Sequence, residues 1–367
     1  MTSANRHIVI ISSNLDMVGG YEKIVPQAAN LFAKKGNKVT LMLLAETTES
    51  FHPIDPGIII IRHSMNFGIT PEGNPVTRKT KMVSDIYSLR KILKKLSPDI
   101  IIATEYQFTI AAILSGAKSY ARVISWEHTP VDMAQKSSFW NKLLKYTYPK
   151  LDSIVCQNET EKQAFEILNP NTAVIPNFTE LSQSAATLHN KLILTVARLT
   201  AVKGIDLLLQ TALIVLKHHP DWQWKIIGEG DMKADISAFI QQHQLEKQLL
   251  LAPPISTDLN PEYSECSLYV CTSRFESFGL TIAEAMACGL PCISFDCDTG
   301  PRHIINHNED GILVEKENHA KLAEAIMKLM TDEPLRKKMG EKAFENVQRF
   351  STEATYKLWE KLITHNS

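Results

Sequence analysis

Two carboxylates and one glycine, held in a single short stretch, carry the strongest chemical signal in this chain. In Ser273-Arg-Phe-Glu-Ser-Phe-Gly-Leu-Thr-Ile-Ala-Glu284, Glu276 and Glu284 are separated by seven residues and Gly279 stands between them. Ser267–Cys271 before it and Pro291–Phe295 after it are apolar enough to be buried strands. Leu280–Cys288 is rich in helix formers, stops at Gly289 and is followed by Pro291. Gly279 therefore falls where a loop becomes a helix, and the unsatisfied N–H groups around Phe278, Leu280 and Thr281 gather there with the positive end of the helix dipole. Such a corner binds phosphate. Glu276 precedes it, and Glu284 lies about one and a half turns into the helix.

Cations stand where that phosphate would need them. Arg198 and Lys203-Gly204 follow the apolar run Leu192–Ala197, at the carboxyl edge where open α/β sheets place ligands. Gly228-Glu229-Gly230 ends the next strand-like run, Trp224–Gly228; a plain strand-end turn would read the same way. In the N-terminal half, His128 comes directly off Val123–Trp126. A neutral imidazole there could orient hydroxyls or share a proton near pH 7. Glu105, in Ala103-Thr-Glu-Tyr106, ends another strand at the same edge, where it would meet an acceptor.

Glu276 and Glu284, set in Glu-Ser-Phe-Gly-Leu and Glu-Ala-Met-Ala-Cys-Gly-Leu-Pro, resemble the Glu-x7-Glu signature of the retaining family-4 glycosyltransferases. The resemblance covers nearly the whole chain, with its specific motifs concentrated in residues 191–304. It implies that Glu276 contacts donor-sugar hydroxyls, that Glu284 contacts the ribose, and that amides around Phe278, Gly279, Leu280 and Thr281 meet a diphosphate. It also implies that Arg198 and Lys203 neutralise that diphosphate, that Gly228 and Glu229 lie near the nucleobase, and that His128 lies near the anomeric carbon. Preorganised cations in a dry cleft stabilise a departing nucleoside diphosphate as its charge grows. Gly19-Gly20 corresponds to the family's Gly-Gly loop, although Tyr21-Glu22-Lys23 replaces the usual Ala or Thr-Glu-Arg after it. A strand-to-helix turn that needs glycine for positive φ is an equal reading of that pair. Asp296-Cys-Asp-Thr-Gly-Pro-Arg302 is similar to a run in members that use uridine-linked hexoses, with His303 where Glu is common.

The elements that must position these groups alternate. Strand patterns recur at His7–Ser12, Val39–Leu44, Ile58–Ile61, Ile100–Ala103, Val123–Trp126, Ser153–Cys156 and Ala173–Ile175, with helical patterns over Tyr21–Lys35, 82–96, 106–117, 136–148 and 159–168. A second series runs through Leu192–Ala197, Trp224–Gly228, Leu249–Ala252, Ser267–Cys271, Pro291–Phe295 and Gly311–Val314. Strand–helix alternation gives a doubly wound parallel sheet. The fold class is thus α/β, with two Rossmann-like domains; the resemblance implies that they face across a cleft as GT-B. The expected divisions are an acceptor-binding domain at 1–181, a nucleotide-sugar-binding domain at 182–350 and a C-terminal helix at 351–367 that packs back on the first domain. Residues 182–190, with little apolar content, read as an interdomain linker.

Composition bounds the rest. The chain has 367 residues, enough for two cores, with 44% hydrophobic and 22% charged residues and a net charge of −1, so nothing global points to nucleic acid. Lys+Arg against Asp+Glu is 20 against 16 over residues 1–185 and 19 against 24 over the remainder, so the halves are +4 and −5. Glycines after the first strand do not spell Gly-x-Gly-x-x-Gly, which argues against a dinucleotide oxidoreductase. Six cysteines show no zinc spacing and read as buried thiols in a reduced, cytoplasmic protein. No signal peptide and no apolar run approaching 18 residues is evident.

The expected activity is transfer of a hexose from a nucleotide sugar, uridine-linked by preference, to a lipid-linked or polysaccharide hydroxyl with the α configuration kept. A nucleotide-sugar epimerase or phosphorylase on the same fold, or a silent binding module, are the alternatives. No cofactor and no metal ligands are expected: Asp296-x-Asp298 spells a metal motif of another architecture, but the two cations would duplicate a metal's role. Basic residues Arg78, Lys79, Lys81, Arg90, Lys91, Lys94 and Lys95, and a second patch of Phe139, Trp140, Lys136, Lys142 and Lys145, suit docking on anionic membrane, or a plain solvated face.

Overall fold

The computed structural model describes residues 5–44, 50–65, 67, 75–129, 137–182, 185–255 and 258–364. The chain divides into two compact units, one of residues 1–17, 21–175 and 356–367, the other of 18–20 and 176–355.

Seven strands build the sheet of the first unit: β1 (His7–Ser12), β2 (Lys38–Leu43), β3 (Ile59–Arg62), β4 (Ile100–Ala103), β5 (Arg122–Trp126), β6 (Ser153–Cys156) and β7 (Thr172–Val174). Their order is β3-β2-β1-β4-β5-β6-β7 and every pairing is parallel. Strands covered on both faces read as continuous apolar runs, and every residue of β1 is buried accordingly. Leu89 and Leu93 of the helix Pro75–Leu96 point into this core while Arg90, Lys91, Lys94 and Lys95 are exposed, the amphipathic split its sequence carries.

The second unit holds β8 (Leu192–Val196), β9 (Gln223–Ile227), β10 (Leu249–Ala252), β11 (Leu268–Cys271), β12 (Cys292–Phe295) and β13 (Gly311–Val314), ordered β10-β9-β8-β11-β12-β13 and again all parallel. Both sheets wind outward in two directions from a central pair, β1/β4 and β8/β11. Ligands of such sheets bind outside the carboxyl ends of the strands at that reversal.

Two stretches differ from their composition. Residues 176–181 join the second unit because Thr179 forms a bridge with Ser351 and donates to Phe350 O at 2.9 Å. Residues 182–190 are not an open linker where they are described: Ala186 N donates to Cys288 O at 2.7 Å, Thr187 N to Ser264 O at 3.2 Å, and Arg336 donates twice to Leu188 O. The Asn190 side chain adds a bond to Glu265 O at 2.8 Å, and Leu188 is buried; none of these distant partners is visible in the segment's composition. The final helix, Thr352–Thr364, passes into the first unit from Tyr356 onward. There Trp359 packs edge-on against Phe32 and Trp126, and Arg122 donates to Leu362 O and Ile363 O near the helix end. Among the described residues no helix is long and apolar enough to cross a membrane.

Candidate active site

In the second unit the reversal point lies between β8 and β11, and both strands end in loops rich in functional groups. After β8 the chain runs through Arg198 into a short turn at Ala201–Lys203 and then Gly204, with φ 64°. A Cβ on Gly204 would stand 2.0 Å from Thr272 O, so only glycine lets this loop press against the end of β11. Thr272 Oγ1 donates to Lys203 O at 3.0 Å and Arg274 N to Val202 O at 2.9 Å. The Arg274 guanidinium adds a bidentate pair to Asp206, both bonds 2.7 Å, with further bonds to Glu317 and Ala201 O. Those bonds hold Asp206 below the usual carboxylate range.

The two loops are thus one rigid piece, and it brings Lys203 onto Glu276. Lys203 Nζ donates to Glu276 Oε1 at 2.6 Å, and Ser273 Oγ donates to the same oxygen at 2.7 Å. Behind it, Thr299 Oγ1 donates to Glu276 O at 2.6 Å, and Gly300 packs so closely that a Cβ would lie 2.7 Å from that carbonyl. Arg198 is exposed, and its guanidinium has no ion-pair partner among the described residues.

Gly279, with φ 94°, is the residue that turns the loop into the helix Leu280–Ala287. Phe278 is buried edge-on against Phe350 at 5.3 Å. Thr281 Oγ1 accepts from Tyr269 OH at 2.7 Å. Glu284 is only 7% exposed, and its Oε2 accepts from Tyr263 OH at 2.9 Å. Burial and the adjacent Glu284 charge push the Tyr263 phenol well above its ordinary range. Gly228 and Gly230 are glycines for packing reasons: a Cβ on Gly228 would meet Ala197 O at 1.9 Å, and one on Gly230 would meet Leu199 O at 2.4 Å. Glu229 between them is exposed and pairs with Lys233 at 3.0 Å.

In the first unit His128 follows β5 by two residues. Its ring lies 4.5 Å from Trp126 and 5.1 Å from Tyr21, and its Nε2 is buried with no hydrogen-bond partner. Burial lowers its pKa to about 3, so the imidazole is neutral at every physiological pH. A neutral imidazole of that kind favours orienting a hydroxyl over sharing a proton. Glu105 lies beside Tyr21 and is raised by burial. Gly19 and Gly20 lead into the helix Gly20–Lys34 without positive φ, which corrects the reading of that pair as a left-handed turn.

Lys203, Glu276, Gly279, Thr281 and Glu284 therefore converge on one loop–helix corner, with Arg198, Gly228 and Glu229 on the neighbouring strand ends. Sequence reasoning missed Ser273, Arg274 and Tyr263, which hold the two carboxylates and the lysine loop in place, and left Tyr21 without a role. It also missed Glu127, which is buried and accepts from Ser125 and Tyr148 beside His128. A buried carboxylate next to His128 was the one available signal for that network.

Comparison with known proteins gives the family and the fold. The family described as Glycosyl transferases group 1 matches residues 177–346, and the one described as Glycosyltransferase Family 4 matches residues 18–183. The chain belongs to the group 1 glycosyltransferases, enzymes of GT-B fold that take a sugar from a nucleotide-sugar donor. An exopolysaccharide phosphotransferase of Streptomyces coelicolor is 33% identical over 288 residues, 77% of this chain but 30% of its own length, so the chain spans under a third of that relative. An uncharacterized glycosyltransferase of Haemophilus influenzae is 26% identical over 95% of this chain and 98% of its own. Among solved structures, an S. aureus TarM variant in complex with fondaparinux, alpha-GlcNAc-glycerol and UDP has a TM-score of 0.80 at 16% identity, over 98% of this chain and 100% of that one. At that identity it speaks for the fold alone.

Proposed function

We propose that the chain is a retaining hexosyltransferase that uses a uridine-linked hexose and a polysaccharide or lipid-linked hydroxyl acceptor. The observation that carries the reading is the Lys203–Glu276 pair, set beside the Gly279 helix start with Glu284 fixed by Tyr263. In this reading Arg198, Lys203 and the N–H groups of the helix start receive the diphosphate. Glu276 takes sugar hydroxyls through the oxygen not engaged by Lys203 and Ser273, and Glu284 takes the ribose. The Gly228–Gly230 turn lines the nucleobase. The first unit binds the acceptor, and neutral His128 orients a hydroxyl. The bond from C1 to the diphosphate oxygen breaks as the acceptor oxygen bonds to C1 on the same face, and the hydroxyl proton passes to the departing phosphate. The exopolysaccharide relative supports the acceptor class. We further propose that the enzyme needs no metal and works at the cytoplasmic face of a membrane.

The test is incubation of the purified chain with a panel of nucleotide hexoses, with and without oligosaccharide or polyprenyl-linked acceptors. Nucleotide release that requires acceptor, with an α-linked product by proton coupling constants, is expected. Release indifferent to acceptor sinks transfer; a β-linked product sinks retention.

A further inference from the structure

We infer that Tyr21 is the positioning residue of His128, closing one side of its imidazole and fixing the plane of the ring. The inference rests on the reading of His128 as a group that meets a sugar hydroxyl, and its test separates the two.

His128 stands between two rings. Trp126 lies on one side at 4.5 Å and 53°, and Tyr21 presents its ring edge-on at 5.1 Å and 88°. Because Nε2 finds no partner among the described residues, no hydrogen bond at that atom orients the imidazole. Packing is left to do it, and each of the two rings is itself anchored. Trp126 is buried and backed by Trp359 at 5.3 Å. Tyr21 is anchored through its hydroxyl, which lies 2.7 Å from Ser12 Oγ and 2.6 Å from Thr104 Oγ1 and accepts from Ser13 N at 3.3 Å.

The direction of those bonds follows from the donors. Thr104 gives its one proton to Ile11 O at 3.0 Å and so can only accept from Tyr21, Ser13 N donates to the phenol oxygen, and Glu105 is a further acceptor for the phenol proton. The ends of β1 and β4 therefore hold the phenol from both sides, and the helix that begins at Gly20 carries its ring to the residue that follows β5. Three adjacent strands converge on one imidazole through this single side chain. Glycine or alanine in its place would leave that side of His128 open.

The electrostatics agree. Glu105 approaches the hydroxyl side of Tyr21, and Glu127 directs its carboxylate to Ser125 and Tyr148. Burial is the one influence resolved on the imidazole, with no contribution from a charged neighbour. A neutral imidazole held in a fixed plane suits an uncharged hydroxyl and does not attract phosphate.

The experiment is a proton NMR titration of the ligand-free chain, the His128 resonance being assigned among the 12 histidines by its loss in His128→Ala. Wild type should keep the imidazole neutral down to pH 4. In Tyr21→Leu, where the ring and its three anchors are gone, the pKa should climb toward about 6.5, the solvated value. Tyr21→Phe, which removes one oxygen and keeps the ring, should lie between them. In transfer assays Tyr21→Leu should lose roughly tenfold in kcat/KM, mostly in kcat, and should add little further loss to His128→Ala. An unmoved His128 titration in Tyr21→Leu overturns the inference, as does a loss fully additive with His128→Ala. If Tyr21→Leu does not fold, Tyr21→Phe carries the titration, and a resonance unchanged in position and pKa is then the overturning result. Normal turnover by His128→Ala would instead remove the functional reading of His128, while the titration would still decide whether Tyr21 positions it.

Discussion

Lys203 Nζ and Glu276 Oε1 meet at 2.6 Å, each side chain mostly buried, so this cation and this carboxylate neutralise one another across the ends of two strands. A lysine there does more than attract phosphate. In the proposed reading it also fixes the carboxylate that meets the sugar.

Removing Lys203 should therefore damage two functions at once. Lys203→Ala, and Arg198→Ala through loss of the exposed cation, should each cost on the order of 3 kcal/mol of transition-state stabilisation, about a hundredfold in kcat/KM. Steady-state kinetics and a melting curve together check this, because the melting temperature should stay within a few degrees. Near-normal turnover by both single variants would refute the cationic role.

The two carboxylates should separate by ligand. Glu276→Ala is expected to weaken binding of the intact nucleotide sugar far more than binding of the free nucleoside diphosphate, whereas Glu284→Ala should weaken both alike. Tyr263→Phe removes the hydroxyl that Glu284 accepts from at 2.9 Å, and should reproduce a milder form of the Glu284 loss, about 1 kcal/mol. Calorimetry with both ligands decides. Equal losses for both ligands in Glu276→Ala and Glu284→Ala would contradict the division.

Much of this was legible in the sequence, and the failures share a physical cause. Apolar runs bounded by turn residues located the thirteen strands among the described residues, with ends off by a residue where pairing decides the matter: Lys38 joins β2 because it lies opposite His7. The Glu-x7-Glu corner was legible because its parts are local, since a glycine, a helix start and a carboxylate in the next turn follow from spacing alone. The residues that hold the corner were not. Ser273 and Arg274 look like ordinary loop residues until Lys203 and Asp206 are brought beside them from another strand end. Residues 182–190 failed for the opposite reason, because their partners, Cys288, Ser264, Glu265 and Arg336, are distant in sequence and leave no trace in the segment's own composition.

A buried acid in the first unit gives stability a pH dependence of known sign. Glu161 is 2% exposed; its Oε2 accepts from Gln157 N at 3.0 Å, while Oε1 is buried without a partner. Burial raises its pKa from 4.5 to about 7. The folded chain therefore binds this proton more tightly than the unfolded chain does, and the stability it contributes is present below 4.5 and lost as pH rises to about 7. Glu161→Gln mimics the protonated form. Its melting temperature should match wild type near pH 4.5 and exceed it near pH 8, measured by calorimetry at several pH values. A variant that is less stable at pH 8 would contradict the assignment.

The basic outer helices of the first unit should respond to lipid charge. Lys91, Lys94 and Lys95 are exposed on Pro75–Leu96 beside Tyr87, and Lys142 and Lys145 are exposed on Ser138–Thr147 beside Phe139 and Tyr146; Lys136 lies outside the described residues. Each basic residue near an anionic surface contributes about 1 kcal/mol, screened by salt. Sedimentation with phosphatidylglycerol vesicles should show binding that falls between 50 and ~300 mM salt, roughly as the Debye length shortens. Equal recovery with neutral and anionic vesicles would favour an acceptor met in solution.

Metal dependence is the sharpest remaining distinction, because Asp296-x-Asp298 spells the motif with which another architecture holds a divalent cation. The structure gives both carboxylates other partners. Asp296 accepts from Arg302 through both oxygens, at 3.0 and 3.1 Å, and Asp298 pairs with Lys316 at 3.7 Å while remaining largely exposed. A cation bound between them would have to displace an arginine fork, a favourable two-point contact. In the proposed reading Arg198, Lys203 and the amides at Gly279 compensate the diphosphate, and a metal would duplicate them. Transfer should accordingly persist in excess chelator, and Asp298→Asn should leave kcat/KM within about twofold, since an exposed ion pair contributes little. Activity that vanishes on chelation and returns with manganese would overturn the assignment of Arg198 and Lys203 as the charges that stabilise the leaving diphosphate.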